Sequence, residues 1–172
     1  MTVRLSPLIR TAIIVRDLER SARFYRGLLG LDEVYYEGEL GSGNAHRLLG
    51  VPAGTPCRAL ILKAAGPALG MVGLFELGGP RPAATGPVAT GAQAGETCLV
   101  FYCSDLDPVH AGVETAGGSC LCAPLALEVD GYVKQREMTL RDPDGVLVNL
   151  IEWDPARPDR PEHDRGQPLP AT

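Results

Sequence analysis

The cysteines and histidines are the residues of this sequence that could do chemistry on their own, and their spacing gives little support for a metal or nucleophile site. Cys120 and Cys122 form a C-x-C pair, but a zinc site needs further cysteines or histidines close by. Half-buried thiols on one strand face are the other interpretation of this pair. No nucleophile elbow, phosphate-binding glycine loop or dinucleotide fingerprint is present. We therefore expect no cofactor.

The three histidines lie in different settings. His46 is in a glycine-rich stretch, predicted to be a loop between two strands. There it could serve a ligand as general base or hydrogen-bond donor, or remain a solvated loop residue. His110, on the outer face of a predicted helix, and His163, near the C-terminus, are expected at the surface.

The composition is that of an ordinary globular chain. Of its 172 residues 45% are hydrophobic and 22% are charged, and the formal net charge is -5. This charge provides no basic field for nucleic acid or for an anionic membrane surface. The apolar run near the N-terminus, residues 12–15, is too short for a signal peptide or a spanning helix. The cysteine count, five, is odd, which argues against a framework of disulfides. Together these features predict a cytoplasmic protein with reduced thiols.

Two segments of the sequence resemble each other and indicate an internal repeat. IRTAIIVRDLERSARFYRGLLGL begins at Ile9, and TCLVFYCSDLDPVHAGVETAGGS begins at Thr97, 88 positions later. This offset aligns Asp17 with Asp105. Each segment opens with an apolar run of strand length, turns at Asp-Leu and continues into a helical pattern.

Each half is therefore predicted to contain one strand, one helix and about three further strands. The first helix shows a 3.6-residue apolar stripe from Leu18 and ends at Gly30, where a left-handed cap residue is expected. The later strands are predicted at residues 33–36, 58–63, 71–77, 120–122, 134–140 and 147–153. The predicted fold class is α+β, with two βαβββ half-modules.

We place the first module at residues 1–80 and the second at residues 97–154. Residues 81–96 contain mainly small residues and proline and are expected to be a linker. Residues 155–172 form a charged, proline-rich tail that would bury little surface.

The opening AIIVRDLERSARFYRGLLGL and the closing REMTLRDPDGVLVNLIEW resemble glyoxalase I, bleomycin-resistance proteins and extradiol dioxygenases, members of the vicinal-oxygen-chelate superfamily. The resemblance covers about residues 8–153 and includes Asp142-Pro143-Asp144-Gly145 as a hairpin turn. It implies that the half-modules form a cup-shaped mixed sheet around a small molecule, and that the chain is a homodimer. Lyases, epimerases, oxygenases and binding proteins share this fold, so it leaves the activity open.

In the metal-dependent members the resemblance implies four ligands, one near the start of each module's first strand and one on a late strand of each module. The first-strand position, seven residues before the aspartate of the Asp-Leu turn, falls on Arg10 and on Cys98. The late-strand positions fall on Glu76 and Asn149. A guanidinium has no lone pair to donate and repels a cation, so we expect no metal.

The resemblance also suggests roles for these residues in a cup without metal. Arg10 could pair with Glu76 as a structural ion bridge, or offer its guanidinium to a carboxylate, enolate or phenolate of a ligand. His46 would lie in a segment that often covers the cup in this superfamily. Together with Arg10 and Glu76, it could transfer protons to or from a ligand.

Further residues are expected to contact the ligand. Strand alternation places Tyr102 on the cup beside Cys98. Tyr132 and Glu137 lie where related proteins contact ligands, although a charged edge strand also explains Glu137. The expected apolar lining is Ala12, Ile14, Val72, Leu74, Val100, Leu147 and Ile151.

The sequence thus predicts a glyoxalase- or bleomycin-resistance-like protein that binds a small, partly apolar organic compound. An anionic ligand and metal-free proton transfer are both open options. The alternative is a metal-dependent lyase, epimerase or dioxygenase with unusual ligands that include Cys98. A third option, a non-catalytic dimeric adaptor, would have a cup filled by its own side chains. Nucleic acid and membranes are not expected partners.

Overall fold

A computed structural model describes residues 5–40, 45–79, 91–129 and 133–152. The chain divides into two compact units, Met1–Ala84 and Thr85–Thr172. Each unit contains one four-stranded sheet. The predicted tail at residues 155–172, and residues 81–90 of the predicted linker, lie outside the described residues.

The first unit is a βαβββ module. Its elements are β1 (Arg10–Val15), α1 (Leu18–Ala22), which continues as a π-helix over Arg23–Leu28, β2 (Glu33–Glu39), α2 (Ala45–Leu49), β3 (Cys57–Lys63) and β4 (Met71–Leu77). The strand order is β1-β4-β3-β2. β1 and β4 are parallel, and the other neighbours are antiparallel.

The second unit repeats this arrangement. Its elements are β5 (Cys98–Cys103), α3 (Asp107–Gly112), β6 (Ser119–Val129), β7 (Val133–Arg141) and β8 (Leu147–Glu152). The strand order is β5-β8-β7-β6, again with one parallel pair, β5 and β8. The predicted α+β class with two half-modules is confirmed.

The first helix begins and ends at the residues that the sequence indicates. The Asp17 carboxylate accepts a hydrogen bond from the backbone N–H of Arg20 at 2.9 Å and caps the helix. The Leu29 N–H donates to the Phe24 carbonyl at 3.1 Å, a five-residue step typical of a π-turn. Gly30 then has a φ of 71°, which glycine adopts without strain and which ends the helix.

In each unit the helix packs on one face of the sheet through buried apolar side chains. Burial of a large apolar side chain contributes about 1.5–3 kcal/mol, so this layer holds the module together. The buried residues include Ile13, Val15, Phe24, Leu62 and Leu74 in the first unit and Leu99, Leu106, Val113, Leu140 and Leu150 in the second.

Asp142-Pro143-Asp144-Gly145 forms the predicted turn between β7 and β8. The Asp142 carboxylate accepts hydrogen bonds from the N–H groups of Asp144 at 2.9 Å and Val146 at 2.8 Å. Gly145 has a φ of 97°, which favours glycine. The turn thereby fixes the pairing of β7 with β8.

Candidate functional site

The two sides of strand β1 differ in exposure. Arg10, Ala12 and Ile14 of β1 are exposed, whereas Ile13 and Val15 are buried beneath the helix. Side chains alternate along a strand, so Arg10 lies on the face away from the helix. We call this face the open face of the first unit, and the other one its helix face.

The pairing of β4 with β1 identifies the neighbours of Arg10. Gly73 lies opposite Ala12 and therefore belongs to the open face. Val72 and Leu74 alternate with Gly73 and are buried on the helix face. The prediction that these two residues line the site is wrong, because the register of β4 with β1 places them under the helix.

Glu76 also lies on the helix face, and the structure pairs it with Arg58 rather than Arg10. Glu76 Oε2 accepts a hydrogen bond from Arg58 Nη1 at 3.0 Å, and Arg58 Nη2 donates to Glu19 Oε1 of α1 at 2.7 Å. These carboxylates, Glu19 foremost, raise the pKa of the Arg58 guanidinium. The geometry gives Glu76 a structural role, in which it ties the sheet to the helix.

The second unit contains the same three-residue ion cluster. Arg136 Nη1 donates to Glu152 Oε1 at 3.1 Å, and Arg136 Nη2 donates to Asp107 Oδ1 of α3 at 2.6 Å. Glu76 and Glu152 each occupy the sixth position of the strand that runs parallel to their module's first strand. Glu152 is therefore the repeat equivalent of Glu76.

The same register identifies the repeat equivalent of Asn149. Asn149 is the third residue of β8, and the third residue of β4 is Gly73. The late-strand position of the first module is thus Gly73 rather than Glu76. A Cβ at Gly73 would lie 2.9 Å from Phe75 Cε2, so the Phe75 ring occupies the space that a ligating side chain would need.

By this register, the four positions at which the resemblance implies metal ligands hold Arg10, Gly73, Cys98 and Asn149. Catalytic metal sites use about three or more protein ligands, and only two of these residues have a donor atom. Desolvation raises the pKa of the Cys98 thiol, although a backbone hydrogen bond from Asn149 lowers it in part, and this favours the protonated form that binds metal poorly. Within the described ranges no group of three or more His, Cys, Asp or Glu is placed to hold a metal ion. The residues do not fit a metal.

On β5 of the second unit, Cys98, Val100 and Tyr102 are exposed and the alternating Leu99 is buried, and we call the face of the exposed residues the open face of the second unit. A polar cluster lies on this face. Asn149 Nδ2 donates to Glu137 Oε2 at 3.2 Å, to Thr139 Oγ1 at 3.2 Å and to the backbone carbonyl of Met138 at 3.3 Å. Thr139 was not predicted from the sequence. Period-2 alternation along β7 from Glu137 was the signal that could have identified it.

Exposed apolar side chains surround this cluster. Val100 and Tyr102 alternate with Cys98 on β5, and Leu125 of β6 lies opposite Glu137 of β7. Val100 is 58% exposed, Tyr102 37% and Leu125 45%. An apolar surface with a few polar groups is typical of small-molecule sites. The structure thus brings four predicted site residues together on one face, namely Cys98, Tyr102, Glu137 and Asn149.

α2 covers part of the open face of the first unit. His46 lies in this short helix, half-buried, and not in a loop as predicted. Tyr132 and His163 lie outside the described residues, and His110 is exposed in α3 as expected. Leu49 of α2 packs against a buried cluster on the sheet. The cluster consists of Cys57, Ala59 and Phe75, and the partly buried Leu40 and Leu77 also pack against it.

The sequence and the fold agree on the class of protein. The family model of the Glyoxalase/Bleomycin resistance protein/Dioxygenase superfamily matches residues 8–150. The chain belongs to this superfamily. No curated protein matches the sequence.

Solved structures show the same fold at low sequence identity. A glyoxalase family protein from Bacillus cereus is 17% identical, with a TM-score of 0.69 over 87% of this chain and 95% of that one. Glyoxalase I from Zea mays is 20% identical, with a TM-score of 0.57 over 85% of this chain and 46% of that one, so this chain spans about half the length of the maize enzyme. In the part of the chain that the structure describes, no helix is long and apolar enough to cross a membrane.

Proposed function

We propose that this protein binds a small, partly apolar organic compound on the open faces of its sheets without a metal ion. The observation that carries the proposal is the pair Arg10 and Gly73 in the first unit. A fixed positive charge stands at one expected ligand position, and no side chain at all stands at the other. Two donors, on Cys98 and Asn149, are too few for a metal-dependent lyase, epimerase or dioxygenase.

Arg10 is the proposed contact for an anionic group of the ligand. Its side chain is exposed on the open face, and Glu76, the expected competing partner, is held by Arg58 on the other face. A guanidinium presents a planar set of donors that matches a carboxylate, an enolate or a phenolate. The position of Glu76 therefore favours ligand binding over a structural ion pair as the role of Arg10.

Any proton transfer by the first unit would involve His46 rather than Glu76. The hydrogen bond to Arg58 directs the Glu76 carboxylate toward the helix, away from the open face. His46 is half-buried in α2, which covers part of that face. Enzymatic activity would be a lyase, isomerase or dioxygenase-like reaction of the superfamily, with binding alone as the simpler function.

The proposal is tested by titrating the ¹⁵N-labelled protein with benzoate, a small aromatic carboxylate, in the presence of chelator. We expect shifts of the β1 and β4 amide signals, and a loss of about tenfold or more in affinity in Arg10→Met, because a charge-assisted hydrogen bond contributes about 1.5–3 kcal/mol. Arg26→Met removes an exposed guanidinium from the helical segment and is the matched control. Equal benzoate affinity in Arg10→Met and in the unmodified protein would overturn the proposed role of Arg10.

We also propose a cytoplasmic homodimer. The support is the edge strand β2, which exposes Val34, Tyr35 and Tyr36. Apolar edge strands are usually covered in folded proteins, and a second copy of the chain is one cover.

A further inference from the structure

One guanidinium attaches the segment before β5 to the open face of the second unit. We call this segment, residues 91–96, the strap. Arg141 Nη1 donates to Glu96 Oε1 at 3.0 Å, and Nη2 donates to Glu96 Oε2 at 3.1 Å and to the Gly91 carbonyl at 3.0 Å. Arg141 lies two positions after Thr139 on β7 and therefore on the open face. The strap thus presents a carboxylate to a cation of this face.

The Arg141 guanidinium is buried, yet its hydrogen bonds are incomplete. Its side chain is 4% exposed. Nη1 also donates to the Gly145 carbonyl at 2.6 Å, so both terminal nitrogens have all their partners. Nε is the one buried side-chain nitrogen or oxygen of the described residues that has no partner. A buried donor without a partner costs free energy, so the closed strap does not satisfy Arg141 fully.

The strap has few other attachments. Residues 92–96 are exposed, and Gly95 has a φ of 90°, which glycine adopts without strain. Within the described residues, its other hydrogen bonds run inside the strap, such as that from the Gln93 N–H to Glu96 Oε2 at 2.8 Å. A segment with few buried contacts opens at low cost. Arg141 is therefore the main attachment of the strap.

We infer that Arg141 binds the carboxylate of a small organic acid, and that Glu96 occupies this site in the ligand-free chain. The incoming carboxylate would replace that of Glu96. Bound through Nε and one terminal nitrogen, it would also give Nε its missing partner. The apolar body of the acid would lie toward Val100, which is exposed on the same face. The inference rests on the proposed function, because it places the compound on an open face.

Glu96 competes with such a ligand because it is part of the same chain. It lies two positions before β5 begins, so its carboxylate has a high effective concentration at Arg141. The hydrogen bond from Arg141 lowers the pKa of the Glu96 carboxyl, which therefore stays ionised at neutral pH. Removing this charge should free the guanidinium for an added carboxylate.

The test is a titration of the ¹⁵N-labelled full chain with benzoate and with benzyl alcohol, a neutral compound of similar size. The amide signals of the strap and of β7 are followed. Glu96→Gln is expected to bind benzoate at least about tenfold more tightly than the unmodified protein, because no internal carboxylate competes. Benzyl alcohol should bind no more tightly. Glu114→Gln makes the same charge change at an exposed residue after α3 and should leave both affinities unchanged.

Two further measurements do not depend on the stability of Glu96→Gln. The double variant Glu96→Gln with Arg141→Met removes both charges, so no buried charge is left unpaired. It should lose benzoate binding at β7 and keep the binding at β1 and β4. In the unmodified chain, benzoate should shift the strap signals together with those of β7, since the strap is displaced as the ligand binds. The dispersion of the amide spectrum checks that each variant is folded.

The outcomes separate the inference from the proposed function. Three results would each overturn the inference: benzoate affinity at β7 that is no higher in Glu96→Gln, benzoate binding at β7 that persists in the double variant, or unchanged strap signals when β7 is saturated. The proposed function stands in each case if the β1 and β4 signals still shift. If benzoate shifts the signals of neither open face in any of these proteins, both fail.

Discussion

Two arginines of the first unit lie on opposite faces of one sheet and make different contacts. Arg58 is held by Glu19 and Glu76 on the helix face, where it joins β3, β4 and α1. Arg10, at the start of β1, is exposed on the open face. Glu76 is hydrogen-bonded to Arg58 and lies on the face opposite Arg10. A mutation of Arg10 is therefore expected to leave the ion cluster of Arg58 intact.

At the residue scale, the Cys103 thiol gives a prediction about pH. Desolvation raises its pKa from 9.0 to about 11, so at pH 8 its reactive thiolate fraction is about a hundredfold below that of an ordinary thiol. We expect iodoacetamide to label Cys103 slowly at pH 8 and progressively faster as the pH rises toward 11. Peptide mass spectrometry measures the rate, with glutathione as the reference thiol.

The same shift has a consequence for stability. Since the folded protein retains the Cys103 proton to higher pH than the unfolded chain, the contribution of this thiol to stability is lost as pH rises from about 9 to about 11. Labelling of Cys103 at pH 8 as fast as that of glutathione would show that the thiol is not desolvated.

At the element scale, the close contact between Gly73 and Phe75 accounts for the absence of a side chain at the third position of β4. Gly73→Ala places a Cβ 2.9 Å from the Phe75 ring, and overpacking of this kind costs about 1–3 kcal/mol. We expect that loss in the free energy of unfolding, measured by denaturant titration.

Gly27 supplies the matched control for Gly73→Ala. A Cβ at Gly27 meets no atom within 4 Å, and alanine is favoured over glycine in helical segments. Gly27→Ala is therefore expected to leave stability unchanged or to increase it. A Gly73→Ala variant as stable as Gly27→Ala would contradict the packing of Phe75 over this position.

The fold could be predicted from the sequence because its signals are local. The repeat offset of 88 aligns the first strand and the helix of each module, and it also aligns Glu19 with Asp107. Asp17, Gly30 and the Asp-Pro-Asp-Gly turn specify a cap, a helix end and a hairpin through their own chemistry. The predicted helix end at Gly30 and the predicted hairpin turn are confirmed, and the cap by Asp17 is a finding of the structure.

The register of the late strands could not be predicted, because the connections of the two modules differ in length. The first module has α2 between its second and third strands, whereas β7 begins only four positions after β6 ends. The equivalents Arg58 and Arg136 are consequently 78 positions apart, and Glu76 and Glu152 are 76 apart. An offset of 88 fails there, so the repeat predicts neither the face of Glu76 nor the equivalence of Gly73 and Asn149.

At the scale of the whole molecule, the homodimer remains a prediction. Light scattering at tens of micromolar is expected to give about twice the mass of the 18.2 kDa chain. Tyr35→Lys would place a charge on the exposed part of β2 and should shift the protein toward a monomer, if this edge is covered by a second copy. A monomeric mass for the unmodified chain would contradict the prediction.

The open faces are proposed to bind a small molecule without a metal ion, because Arg10 and Gly73 occupy two of the positions where metal ligands would be needed. The most direct test is elemental analysis of the full chain, purified without chelator and dialysed against metal-free buffer. We predict less than about 0.1 equivalent per chain of Zn, Fe, Mn, Co or Ni, since Cys98 and Asn149 are the only two of the four expected ligand positions that supply donors. About one equivalent of one metal per chain, removed by chelator together with the loss of fold or ligand binding, would contradict this account.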